Sequence, residues 1–141
     1  MKKDLLGILY GVLFMVFSIG VLFPLTAQLL TPTPYELVGE PVASWEPNHT
    51  DVTASFIKKE GCHLVSFSVS GVSAGQPRTL EYIDLDGVPE NYDRKPGSQT
   101  LNIRVLTQGL YYESISLHTR HLCGADYVNK VFDTLRNPNE T

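Results

Sequence analysis

The sequence is poor in the residues that carry chemistry. Its 141 residues include two cysteines, four histidines, two methionines and one tryptophan. Two cysteines 61 positions apart cannot form a CxxC redox pair or a four-thiolate zinc site. No glycine-rich phosphate loop is present. Serines and histidines occur, but nothing in their order assembles a nucleophile, a base and an oxyanion site, so the chain is expected to be no enzyme. Charged residues are scarce at 18%, against 43% apolar residues, which excludes a disordered chain and a coiled coil. Basic residues are outnumbered, and a net charge of −4 does not suit a partner held by phosphate contacts, so no nucleic acid is expected. No cofactor is implied.

What is present begins at the N-terminus. Residues 5–23 read LLGILYGVLFMVFSIGVLF, without a charge. As a helix this stretch is about 28 Å long, close to the hydrocarbon thickness of a bilayer. Lipid offers no partners to backbone groups, so a single transmembrane helix is predicted over 5–23, ending at Pro24. A cleaved signal peptide is the competing reading. Its apolar core would be shorter, and a cut after Ala27 places Leu25 where a small residue is wanted, so an uncleaved signal-anchor is preferred. Lys2 and Lys3 precede the segment and no Lys or Arg follows until Lys58, which puts residues 1–4 in the cytoplasm and the rest outside, in the periplasm if the host is bacterial. Beyond the segment the chain carries nine basic and fourteen acidic residues, an acidic balance that gains nothing from lying on anionic lipid. Gly7 and Gly11 form a GxxxG pair, and Ser18 shares their helical face. Small residues there admit a second helix closely, so packing against other membrane subunits, or against a second copy through the Gly7/Gly11 face, is expected.

The proline-bearing stretch that follows, within residues 24–41, suits an extended stalk. From 42 to 136 the pattern has period two. Candidate strands are 42–46, 52–58, 62–69, 78–85, 100–106 and 110–123, separated by Gly, Pro, Asn and Asp. Val65, Phe67 and Val69 are expected on one face, and Leu101, Ile103 and Val105 on another. Residues 125–135 differ: Val128, Val131, Phe132 and Leu135 recur as on one face of a short C-terminal helix. Residues 137–141 read as a flexible tail. The fold class is therefore mainly β: a transmembrane helix followed by a small antiparallel β-sandwich, with a possible terminal helix.

Cys62 and Cys123, outside the cytoplasm, are expected to form one disulfide. The loop it closes represents about 4 kcal/mol in the chain-entropy model. Their spacing resembles that of the inter-sheet bridge of immunoglobulin domains. Those domains also place a Trp after the first Cys and a Tyr two residues before the second, whereas here Trp45 lies upstream and His121 holds the second place. The resemblance implies a sandwich that is Ig-like in general architecture, without family membership.

Three constellations were candidates for chemistry. His118, His121 and Cys123, with His63 beside Cys62, have metal-ligand character, but a disulfide consumes the thiolates and strand alternation turns His118 away from His121, so no metal site is assigned. Asp84, Asp86, Glu90 and Asp93 in DLDGVPENYD offer carboxylates to calcium, yet the spacing completes no EF-hand and reads as a solvated turn. Trp45, Tyr111 and Tyr112 are candidate interface aromatics, the alternative being that they seal core edges. The chain is thus expected to be a non-enzymatic single-pass membrane protein, an accessory or structural subunit of a larger membrane or envelope complex. A membrane-tethered module that binds a soluble ligand or peptide is the alternative.

Overall fold

The computed structural model describes Ile8 and residues 10–16, 32–89 and 92–138. The chain divides into two units, residues 1–32 and 33–141. In the first, residues 10–16 are helical, and Tyr10, Val12, Leu13, Phe14, Met15 and Val16 are all exposed. Among the described residues no helix is long and apolar enough to cross a membrane. Most of the predicted 5–23 helix, with Gly7 and Ser18, lies outside the described residues, as does the tail beyond Pro138.

In the second unit the described residues form two antiparallel sheets. One is built on β3 (His49–Lys58) and β7 (Gly97–Leu106), paired along their whole length. β1 (Tyr35–Leu37) and β2 (Val42–Trp45) share the outer edge of β3, and β6 (Tyr82–Asp84) borders β7. The other sheet runs β5 (Gln76–Leu80), β4 (Cys62–Ser73), β8 (Ser114–Cys123), β9 (Asp126–Arg136). Alternation then makes the core. Val52, Ile103 and Val105 of the first sheet and Ile115 and Leu117 of the second are fully buried, and Val69 nearly so.

The two ends of this sandwich are unlike. At one, Lys58, Gly97, Cys62, Cys123 and Asp126 come together, and the chain enters there because Tyr35 is paired with Lys58. At the other end lie Trp45, His49, Leu106, Ser114 and Arg136.

The structure corrects the sequence reading in five places. Residues 125–135 hold no helix; they form β9, the edge of the second sheet. A β-bulge explains the misleading period. The register slips between Leu117 and His118 of β8, so Phe132 is the extra residue on β9. Side chains before it point inward at even positions and after it at odd ones, which leaves Val128, Phe132 and Leu135 inward at helical spacing and Val131 half exposed. A second bulge, between Leu64 and Ser66, turns Val65 out of the face it was expected to share with Phe67 and Val69. The stalk ends earlier than expected, because Pro34 and Tyr35 are buried and Tyr35–Leu37 is a strand. The single strand expected over 78–85 is two, one in each sheet, with Glu81 as the crossing residue whose carbonyl accepts the Leu106 N–H. Finally, the Cys62–Cys123 disulfide is present but lies within one sheet: the two residues are register partners on β4 and β8, with Cα atoms 4.1 Å apart.

Gly71 sits in the middle of a strand, where glycine is normally a weak choice. Its reason is Tyr112. A Cβ at Gly71 would lie 2.6 Å from the Tyr112 ring and 2.9 Å from Leu80 Cδ1. The ring lies over bare backbone, and Tyr112 is only 4% exposed as a result. Gly71→Ala is therefore expected to destabilise the domain by about 1–3 kcal/mol, the range for overpacking a filled core, as read by urea denaturation.

Candidate functional site

The second unit holds two notable cavities. The first, of about 160 Å³, lies between the sheets toward the end where the chain enters. Tyr35, Phe56, Phe67, Tyr82, Leu101 and Phe132 supply apolar walls, and the exposed Pro89 and Tyr92 mark where it meets solvent. The rings pack edge-on: Tyr35 against Phe56, Phe56 against Phe132, Phe67 against Tyr82. A cavity of this size holds about one six-membered ring.

Charge is gathered on one wall. Lys58, the last residue of β3, is 6% exposed. Its Nζ donates to Asp93 and to the Arg94 carbonyl. Asp93 also accepts the Leu64 N–H at 2.9 Å and pairs with His63 Nδ1 at 2.8 Å. The reason Leu64 needs this partner is topological. β5 pairs only with Val69–Ser73, so among the described residues the first half of β4 has no strand on that side. Arg94 donates to Asp84 at 3.2 Å and to the Thr100 carbonyl at 2.8 Å. The loop from β6 to β7 is thus fastened to both sheets by its own charged residues.

His121 is the exception to this pairing. It lines the same cavity, is 5% exposed, and its Nδ1 is buried with no hydrogen-bond partner among the described residues. Burial, reinforced by the charge of Lys58, drives the imidazole down to about 4. It is neutral above that pH, and a neutral imidazole can offer one donor and one acceptor. Asp93 is opposed by burial, but its bonds from Leu64, Lys58 and His63 outweigh that cost and hold the carboxyl at about 2. Burial raises the Tyr35 phenol, which receives a hydrogen bond from Thr119 at 3.4 Å.

The second cavity, of about 380 Å³, is at the opposite end. It gathers Trp45, Tyr111 and Tyr112, the three aromatics singled out in the sequence. Tyr111 is half exposed, whereas Tyr112 is buried, so the adjacent pair does divide between surface and core.

The other candidates are dispersed. His118 bonds Ser70 at 2.8 Å, His63 is exposed beside Asp93, and Cys123 is oxidised. In DLDGVPENYD, Asp84 accepts the N–H groups of Asp86 and Val88 and pairs with Arg94, while Asp93 faces Lys58. Among the described residues no group of three His, Cys, Asp or Glu could hold a metal.

The sequence reading missed two things. Gly71-Val72-Ser73-Ala74-Gly75 has the GxSxG form of a nucleophile elbow. That motif works only as a strand-to-helix turn. Here it is the hairpin between β4 and β5, with positive φ at Ala74 and Gly75 and Ser73 paired to Gln76, so the string is a two-residue turn signal. The first cavity was also missed, since its walls come from positions 35 to 132.

The pH dependence follows from the two shifted groups. Folding favours neutral His121, so its contribution is complete above the ordinary value of 6.5 and is lost as pH falls toward about 4. Folding favours ionised Asp93, whose contribution is present above 3.8 and is lost as pH falls through about 2. Thermal melts across pH are expected to show stability declining in both windows. His121→Leu flattens the upper one, and Asp93→Asn flattens the lower while destabilising the neutral protein by stranding Lys58. Comparison of the chain with protein-family models, curated proteins and solved structures gives no match, so the functional reading rests on the geometry.

Proposed function

We propose that the chain is a non-enzymatic, single-pass membrane protein whose extracytoplasmic sandwich is a binding module. The observation that carries this is the first cavity: a ring-sized, aromatic-walled space with one buried imidazole whose Nδ1 has no partner among the described residues. Mostly apolar walls with a few polar groups are the usual make-up of a small-molecule site. The charged groups beside it are already paired with one another, so the ligand that fits is a small, uncharged ring bearing one hydrogen-bonding group.

Two features support the rest of the reading. Residues 10–16 expose apolar side chains in all directions, a pattern that belongs in lipid and not in water. The strand orders also support the Ig-like architecture. With β1 and β2 as A, the first sheet runs A, B, E, D and the second C′, C, F, G, although the bridge here joins C to F. The role of accessory subunit in a larger membrane complex, first in the sequence reading, becomes the second here, favoured by the small-residue pair Gly7 and Gly11 in the apolar segment.

The binding reading is tested with phenol as probe, by amide chemical shifts of the full chain in detergent. Saturable shifts confined to Tyr35, Phe56, His121 and Phe132 and their neighbours are expected. Leu64→Trp, which fills the cavity, is expected to abolish them, and Leu64→Ala to retain them. Shifts scattered over the surface, or unaffected by Leu64→Trp, would refute the site. The membrane reading is tested by alkaline carbonate extraction, in which the chain is expected to stay in the pellet with residues 5–23 still attached; release of a chain that begins near residue 28 would refute it.

A further inference from the structure

The second cavity carries an inference independent of the first. We propose that it is a binding site for a neutral saccharide, at the end of the sandwich opposite the one where the chain enters.

Its floor holds two hydroxyls without partners. Thr50 is 0% and Thr107 4% exposed, and Oγ1 of each is buried with no hydrogen-bond partner among the described residues. Both residues line the cavity. Leaving a buried hydroxyl unsatisfied costs about 1–3 kcal/mol. Two such groups in one cavity mark a place built for a ligand that both donates and accepts.

The position of these hydroxyls is fixed by the fold. Thr50 faces inward on β3, opposite Val105. Thr107 follows β7, and its N–H and that of Gln108 both bond the Asn48 carbonyl at 3.1 and 3.2 Å. The loop after it turns through positive φ at Gln108 and Gly109, which brings Leu110 and Tyr111 back over the cavity mouth.

The walls select the chemistry. Trp45 and the half-exposed Tyr111 offer aromatic faces, and Glu46 offers a carboxylate. A sugar ring presents C–H groups to an aromatic face and hydroxyls around its rim, which matches both halves of this lining. The competing ligands each fail on one point. An anion finds no Lys, Arg or His among the lining residues. A quaternary ammonium suits aromatic faces beside a carboxylate, but has no hydrogen bond to give Thr50 or Thr107. A purely apolar ligand fails for the same reason. The volume, about 380 Å³, lies within the ordinary range for small-molecule sites.

Trp45 is the single tryptophan of the chain, so its fluorescence reports on this cavity alone. The test titrates the full chain in detergent with methyl glucoside, methyl galactoside, methyl mannoside and N-acetylglucosamine, with tetramethylammonium chloride and phosphate as controls. A saturable change at millimolar concentration of at least one sugar is expected. Thr50→Val and Thr107→Val keep the side-chain shape and remove the hydroxyl, and each is expected to weaken that binding roughly fivefold, the worth of one average hydrogen bond. Melting temperatures of both variants at or above that of the parent show that the loss is not misfolding. Silence toward every sugar overturns the proposal. So does a response to tetramethylammonium that survives both substitutions, since that ligand needs the rings and not the hydroxyls. Phenol binding in the first cavity bears on neither outcome.

Discussion

The pairing of Lys58 with Asp93 is the contact on which the entry end of the sandwich depends. Lys58 ends β3 with its side chain almost wholly out of water, where an ammonium without a partner is costly enough to unfold a small domain. Asp93 answers it from the β6–β7 loop, and the same carboxylate takes the Leu64 N–H that β5 is too short to reach. One side chain therefore joins a strand of each sheet to a long loop. This loop supplies Val88, Pro89, Tyr92, Asp93 and Arg94 to the lining of the aromatic cavity, which the buried His121 also lines. The low pH limit of the fold and the shape of the candidate site have a common origin in that carboxylate.

Much of the second unit was legible because its central strands obey alternation. Thr100–Leu106 places Leu101, Ile103 and Val105 in the core as the pattern says, and the two cysteines are bonded to each other as expected. The failures fall where alternation is interrupted. One inserted residue at Phe132 converts a period of two into spacings of four and three, which no sequence pattern distinguishes from a helix turn. Val65 is misplaced by the same device. Tyr35–Leu37 is too short to show a period, and only its pairing with β3 identifies it.

The sites were legible to unequal degrees. Trp45, Tyr111 and Tyr112 stood out by residue type, and strand order brings 45 and 111 to one end. The unpaired hydroxyls of Thr50 and Thr107 gave no signal, because a threonine on the inner face of a strand is ordinary until its neighbours are known. The first cavity depends on the crossing at Glu81, where one apparent strand changes sheets and carries Tyr82 opposite Phe67. The histidines stood out more than they contribute: His118 is occupied by Ser70, and His121 alone of the four lines either of the two cavities described.

The bulge in β9 has an effect outside the molecule. β9 is an eleven-residue border of its sheet, the kind of open margin along which identical chains can zip into ribbons. At Phe132 that margin is kinked, so a visiting strand meets two short rails out of phase where a straight border would offer one long rail. The residue that disguises this strand in the sequence also makes it a poor template for fibrous growth.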